Sequence, residues 1–169
     1  MRRSKRPFLL LTAAVVLAVT AVGLYLFQPW RLFTTERVVE EAPPAAVAQQ
    51  DATGSGPVTG TFVSHAHTTE GSVEIYRVVG GKTVLCLTDL RTADGPALRV
   101  WLSDQPVHRD GGGNLDDGEH LDLGRLKGNE GNQNYPVPAG TDLRKFSTVT
   151  IWCERFSVSF GAAELNGAA

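Results

Sequence analysis

Two thiols and four imidazoles carry most of the reactive chemistry in this 169-residue chain. Cys153 lies in STVTIWCERFSVSF, residues 147–160, which reads as the best β-strand in the sequence. A cysteine there can be half of a disulfide, a packed small hydrophobe, a bare redox thiol or a ligand to a cofactor. Cys86, in VLCLTDL, offers a disulfide partner. Export, argued below, makes two cysteines a disulfide candidate by compartment alone. A Cys86–Cys153 bridge would close a long loop and add typically about 2–4 kcal/mol. Against it, Cys86 alternates with Leu85 and Leu87 and so faces away from them. Apolar neighbours Val149, Ile151 and Phe156 raise the pKa of a thiol at 153 and slow its oxidation; Arg155 and the histidines act the other way if the fold brings them close.

His65 and His67, in SHAHTT, are two apart and on a strand would point to one face. Two imidazoles on one face suit zinc, copper or haem iron, with a third ligand from Cys153, His108 or His120. No C-x-x-C or H-E-x-x-H spacing supports such a site, and a short H-x-H beside a loop is also simply solvated. The loop RDGGGNLDDGEHLDL gathers Asp110, Asp116, Asp117, Glu119 and Asp122. Oxygen ligands on a Gly-rich loop could hold calcium, but the spacing is not that of an EF-hand. There is no nucleophile elbow, paired-carboxylate motif or phosphate loop, so hydrolase and transferase chemistry is not expected.

The elements that must position these residues follow from hydropathy. Phe8 to Phe27 is a nearly continuous apolar run without charge, and about 20 such residues span the roughly 30 Å hydrocarbon core of a bilayer. Arg2, Arg3, Lys5 and Arg6 precede it, which predicts a cytoplasmic basic end over 1–7 and export of the rest. A cleaved signal peptide needs a shorter run and small residues just beyond; here bulky QPWRLF follows, so 8–27 reads as a signal-anchor. Residues 28–57, rich in Pro, Ala, Gly and Gln, read as a flexible linker. The remaining 58–165 is one domain's worth of chain. The net charge of -2 and the lack of basic-aromatic interleaving argue against nucleic acid.

Within 58–165 short alternating runs recur between turn signals, the pattern of an antiparallel all-β sandwich or barrel behind a single helix. GG at Gly80–Gly81 marks a hairpin between GSVEIYRVV and KTVLCLTDL. ALRVWLS, LDLGRL and NYPVP read as further extended segments, and DQPVHRDGGGNLDDGEH as a long polar loop. Val149, Ile151 and Cys153 share one face, whereas Phe156, Val158 and Phe160 form a set one residue out of phase. A bulge or a bend near Glu154–Arg155 would bring both sets to one side; a twisted strand covered on both faces is the other reading. The expected core is Trp101, Leu98 or Val100, Val149, Ile151, Phe156, Val158 and Phe160.

Four segments, GTFVSHAHTTEGSVEIYRV, DLRTADGPALRVWLS, LGRLKGNEGNQNYPVP and STVTIWCERFSVSFGAAEL, together resemble the DM-thirteen domain, also called the electron transfer DM-thirteen domain. The resemblance covers nearly all of 58–165, and anchor plus LYLFQPW is similar to membrane-tethered bacterial members. It implies a β-rich extracytoplasmic module acting in electron transfer through a characteristic cysteine, as a free thiol or as a ligand to a group such as haem. By motif position that cysteine is Cys153. Cys86 departs from the family pattern and puts the free-thiol reading in doubt.

The expectation is therefore a single-pass membrane protein, N-terminus cytoplasmic, with an extracytoplasmic redox domain centred on Cys153. His65 and His67 stand as candidate cofactor ligands, haem or a metal as the candidate cofactor, and the bilayer plus an undetermined redox or envelope partner as its contacts. The competing expectation is a non-redox β-sandwich that binds a cell-envelope ligand or protein.

Overall fold

The computed structural model of the chain describes residues 6–30, 34–42, 58–78 and 81–167. The basic residues Arg2, Arg3 and Lys5, most of the Pro/Ala-rich stretch and Gly80 lie outside the described residues. Helix α1 runs Arg6–Phe27. Its window Leu9–Phe27, 19 residues at a mean hydropathy of 2.4, is long and apolar enough to cross a membrane, and none of it is buried against the rest of the chain. Gln28 ends the helix with φ 42, its N–H donating to the Leu24 carbonyl at 2.9 Å, a left-handed stop before Pro29.

The strands are β1 (Arg37–Val39), β2 (Val58–Ser64), β3 (Glu70–Val78), β4 (Lys82–Arg91), β5 (Leu98–Ser103), β6 (His120–Arg125), β7 (Glu130–Val137), β8 (Thr148–Cys153) and β9 (Val158–Glu164). They form one sheet in the order β1-β7-β4-β3-β2-β9-β8-β5-β6. Strand β2 is the corner. Val58–Thr61 pair with β3, and Phe62–Ser64 pair with β9. The sheet curls there until β6 and β7 touch, a half-barrel whose inner face holds one core. Val73, Ile75, Leu85, Leu87, Leu90 and Tyr135 meet Leu98, Val100, Leu102, Val149, Ile151 and Phe160 across it. The all-β expectation holds.

Alternation explains much of this. Leu98 and Val100 are both buried inward while Arg99 between them faces out to Asp122. The β3–β4 hairpin closes where Val78 pairs with Lys82, with Gly81 at φ 76. The bulge or bend expected near Glu154–Arg155 is a turn, residues 154–157, between separate strands β8 and β9. The phase change in the apolar pattern is that hairpin, sharpened by a register shift opposite Ile151/Trp152. Phe156 therefore sits in the turn, 45% exposed, and is not a core residue.

The stretch 28–57 is also not uniform. Within it β1 pairs in parallel with β7 at the sheet edge. Backbone and polar side chains make that contact, so no apolar period betrays it. Glu36 N–H donates to Asn129 Oδ1 at 2.7 Å, and Gly128 and Gly131 supply the room: a Cβ on Gly131 (φ 99) would strike the Val38 carbonyl. Glu40 accepts from Lys127 Nζ at 2.7 and 2.8 Å and from Asn134 N–H at 2.7 Å. Burial raises the Glu40 pKa, but the Lys127 and Asn134 hydrogen bonds and the Lys127 charge outweigh it and hold the carboxyl below its ordinary value. A depressed carboxyl stabilises above its unfolded pKa and loses that contribution as pH falls through the folded one. Hydrogen exchange at β1 and its β7 partners should therefore accelerate on acidification before the core strands respond. Glu40→Gln should remove the pH dependence; an unchanged acid profile would contradict this.

Candidate functional site

Cys153 ends β8, paired with Leu98 on β5 and Val158 on β9. It is fully buried and belongs to the inner core with Val149, Ile151 and Phe160. Its alternation with Trp152 puts the two on opposite faces. Both cysteines are free and buried. Cys86 pairs with Glu74 and Asn134, and three strands separate β4 from β8 in the sheet. Leu85 and Leu87 enter the core and Cys86 between them does not, so the two thiols leave their strands on opposite faces. A bridge needs facing Cβ atoms at short range, and the Cys86–Cys153 pairing considered from the sequence is not formed. Burial, with the Glu74 and Glu40 charges, pushes the Cys86 thiol up to about 11, leaving it protonated and a poor nucleophile at neutral pH.

The histidine pair separates for a simple reason. Strand β2 stops at Ser64, and residues 65–67 form a bend, so strand alternation no longer governs them. His65 Nδ1 meets Ser159 Oγ at 2.8 Å, while the His67 ring lies 4.1 Å from that of Phe160. Ser159 and Phe160 are on opposite faces of β9, and the two imidazoles follow them. Burial lowers the His65 pKa against a hydrogen bond from its ring to the His108 backbone that raises it, which favours the neutral ring. His120 is exposed and stacked on Trp101 at 4.0 Å. Among the described residues no three His, Cys, Asp or Glu side chains gather as a metal site. The acidic loop is dispersed likewise: Asp122 pairs with Arg99 and Glu119 with Lys145. Among the described residues the donor set around Cys153 does not fit a protein-built metal centre or a His-paired haem.

The β8–β9 hairpin borders a cavity of about 370 Å³. Phe156, Val158 and Phe160 of the β8–β9 hairpin wall it on one side, and Asp94, Gly95, Pro96 and His67 on another. Phe27, Gln28 and Pro29, the end of α1, close it, with the Phe27 and Phe156 rings stacked 6.1 Å apart. Val158 links the two features, since it lines the cavity and pairs with Cys153.

The profile of the Electron transfer DM13 family matches residues 61–165. The chain belongs to that family. Its matched region runs from β2 to the end of β9 and includes Cys153 but not α1 or β1. No curated protein and no solved structure matches the chain.

DM13 membership makes the motif residues worth separating by task. In GNEGNQNYPVP the buried Gln133 organises a turn. Its Oε1 accepts from Lys127 N–H at 3.0 Å, Gly128 N–H at 3.2 Å and the Tyr135 hydroxyl at 2.9 Å; its Nε2 donates to the Gly128 carbonyl at 2.7 Å. Each buried group left unpaired costs about 1–3 kcal/mol. Gln133→Leu should therefore cost about 3 kcal/mol or more, read as a lower urea midpoint; a neutral substitution would contradict this. That element is structural.

Sequence reasoning missed the outer face of the DM13 domain. The long polar loop folds back over it. Leu115 is fully buried there with Trp101, Trp152 and Ala162, and Ser103 Oγ donates to the Leu115 carbonyl at 2.9 Å. Trp152 stacks on Trp101 at 4.9 Å, and Trp101 on His120. The one signal was a lone leucine inside DGGGNLDDGEH.

Proposed function

We propose that this DM13 protein is a membrane-anchored electron-transfer module whose extracytoplasmic β-domain works through the Cys153 thiol. The observation that carries this is that Cys153 is free, lies inside the family match and pairs with Val158, which lines the cavity. Cys86 is also free, but it is on the other face with a thiol held protonated. Family membership supports the redox role; the apolar 19-residue window and the basic cluster before it support the anchor and its orientation. Because Cys153 is fully buried, its exchange with a partner requires local opening of the fold around it.

Two measurements test the reading. Protease added to right-side-out vesicles should remove the β-domain and leave a membrane stub; full protection of the domain would contradict the orientation. Differential alkylation of the full chain across glutathione buffers should find Cys153 exchanging between the free thiol and a mixed disulfide, formed by attack on glutathione disulfide with release of one glutathione, while Cys86 stays a free thiol. Equal behaviour of the two, or an inert Cys153, would contradict the assignment.

A further inference from the structure

We propose that the cavity between the end of α1 and the β8–β9 hairpin binds the ring of a membrane-dissolved quinone. The inference rests on the membrane-anchored reading above, but not on the redox role of Cys153. Phe27, Gln28 and Pro29 wall the cavity, so with α1 across the bilayer it lies at the edge of the hydrocarbon. A ligand dissolved in the membrane reaches it without crossing water.

Its chemistry narrows that ligand. About 370 Å³ is near the lower end of ligand pockets, roughly 300–1,000 Å³. This suits one substituted ring whose tail remains in the bilayer. Phe27, Phe156 and Phe160 offer three aromatic faces, and aromatic groups prefer offset or edge contacts with a planar ring. The described lining is mostly apolar, with Phe27, Pro29, Pro96, Phe156, Val158 and Phe160, which suits an uncharged ligand. The His67 and Gln28 side chains supply N–H donors for uncharged carbonyl oxygens. A neutral, planar ring with carbonyl acceptors and an apolar tail meets all of these conditions.

The test uses the full chain in quinone-free phosphatidylcholine nanodiscs and an azido-ubiquinone carrying a decyl tail. After illumination, the label should map to the peptides holding residues 94–96 and 156–160. Excess decylubiquinone should remove it and excess decanol should not. Phe156→Ala, at an exposed position, should reduce labelling about 5- to 10-fold by deleting one ring contact. Val158→Trp, which fills the cavity, should abolish labelling, provided that thermal unfolding shows it folded; otherwise Phe156→Ala decides. Cys153→Ser should keep the label, so a failed thiol assignment and a failed ligand assignment give different results. Label confined to α1, equal competition by decanol, or labelling indifferent to the cavity variants would overturn the proposal.

Discussion

Phe160→Ala should cost the β-domain about 3–5 kcal/mol, the usual cost of truncating a buried phenylalanine. Phe160 is 2% exposed. It packs in the inner core, carries the His67 ring at 4.1 Å, and faces Gly95, where even a Cβ would meet its ring. The space it leaves has little freedom to collapse, because β8 and β9 are fixed by pairing on both sides. For a domain of this size the loss corresponds to a Tm drop of more than about 10 °C. Phe156→Ala is the internal control. Two phenylalanines four residues apart in one hairpin should differ sharply, because Phe156 is 45% exposed and its main contact is the stacked Phe27 ring. Its loss should stay below about 1.5 kcal/mol. Equal losses at the two positions would mean that the hairpin turn is misplaced.

That contrast shows what periodicity can and cannot report. Val149, Ile151 and Cys153 could be put on one face because β8 keeps its alternation to the end. Phe156 could not, because the alternation of Val158 and Phe160 was carried back into a turn that has no glycine or proline; Ser157 takes φ 49 there. The His65/His67 pairing failed in the same way, at the bend after Ser64. Strand β1 was invisible because its docking depends on main-chain pairing, two glycines of β7's approach and the Glu40–Lys127 pair, none of which leaves an apolar signature. The outer-face core was hidden because a mostly polar loop covers it with Leu115 and Val107 alone among large apolar residues. By contrast, the membrane-length helix and the β class were legible, because each repeats its signal over many residues.

The largest functional effect should fall on a single thiol. Cys153→Ser places a hydroxyl in a fully apolar setting, which costs about 1–3 kcal/mol if unpaired, so the comparison must be made below the melting transition. Cys86→Ser changes a thiol beside Glu74 and Asn134 on the opposite face and leaves the Cys153 environment intact. Titration of the full chain and these two variants against glutathione and glutathione disulfide, reading the mixed disulfide, tests the central claim most directly. The account predicts a redox couple in the wild type that persists in Cys86→Ser and vanishes in folded Cys153→Ser. A couple that survives Cys153→Ser would contradict it.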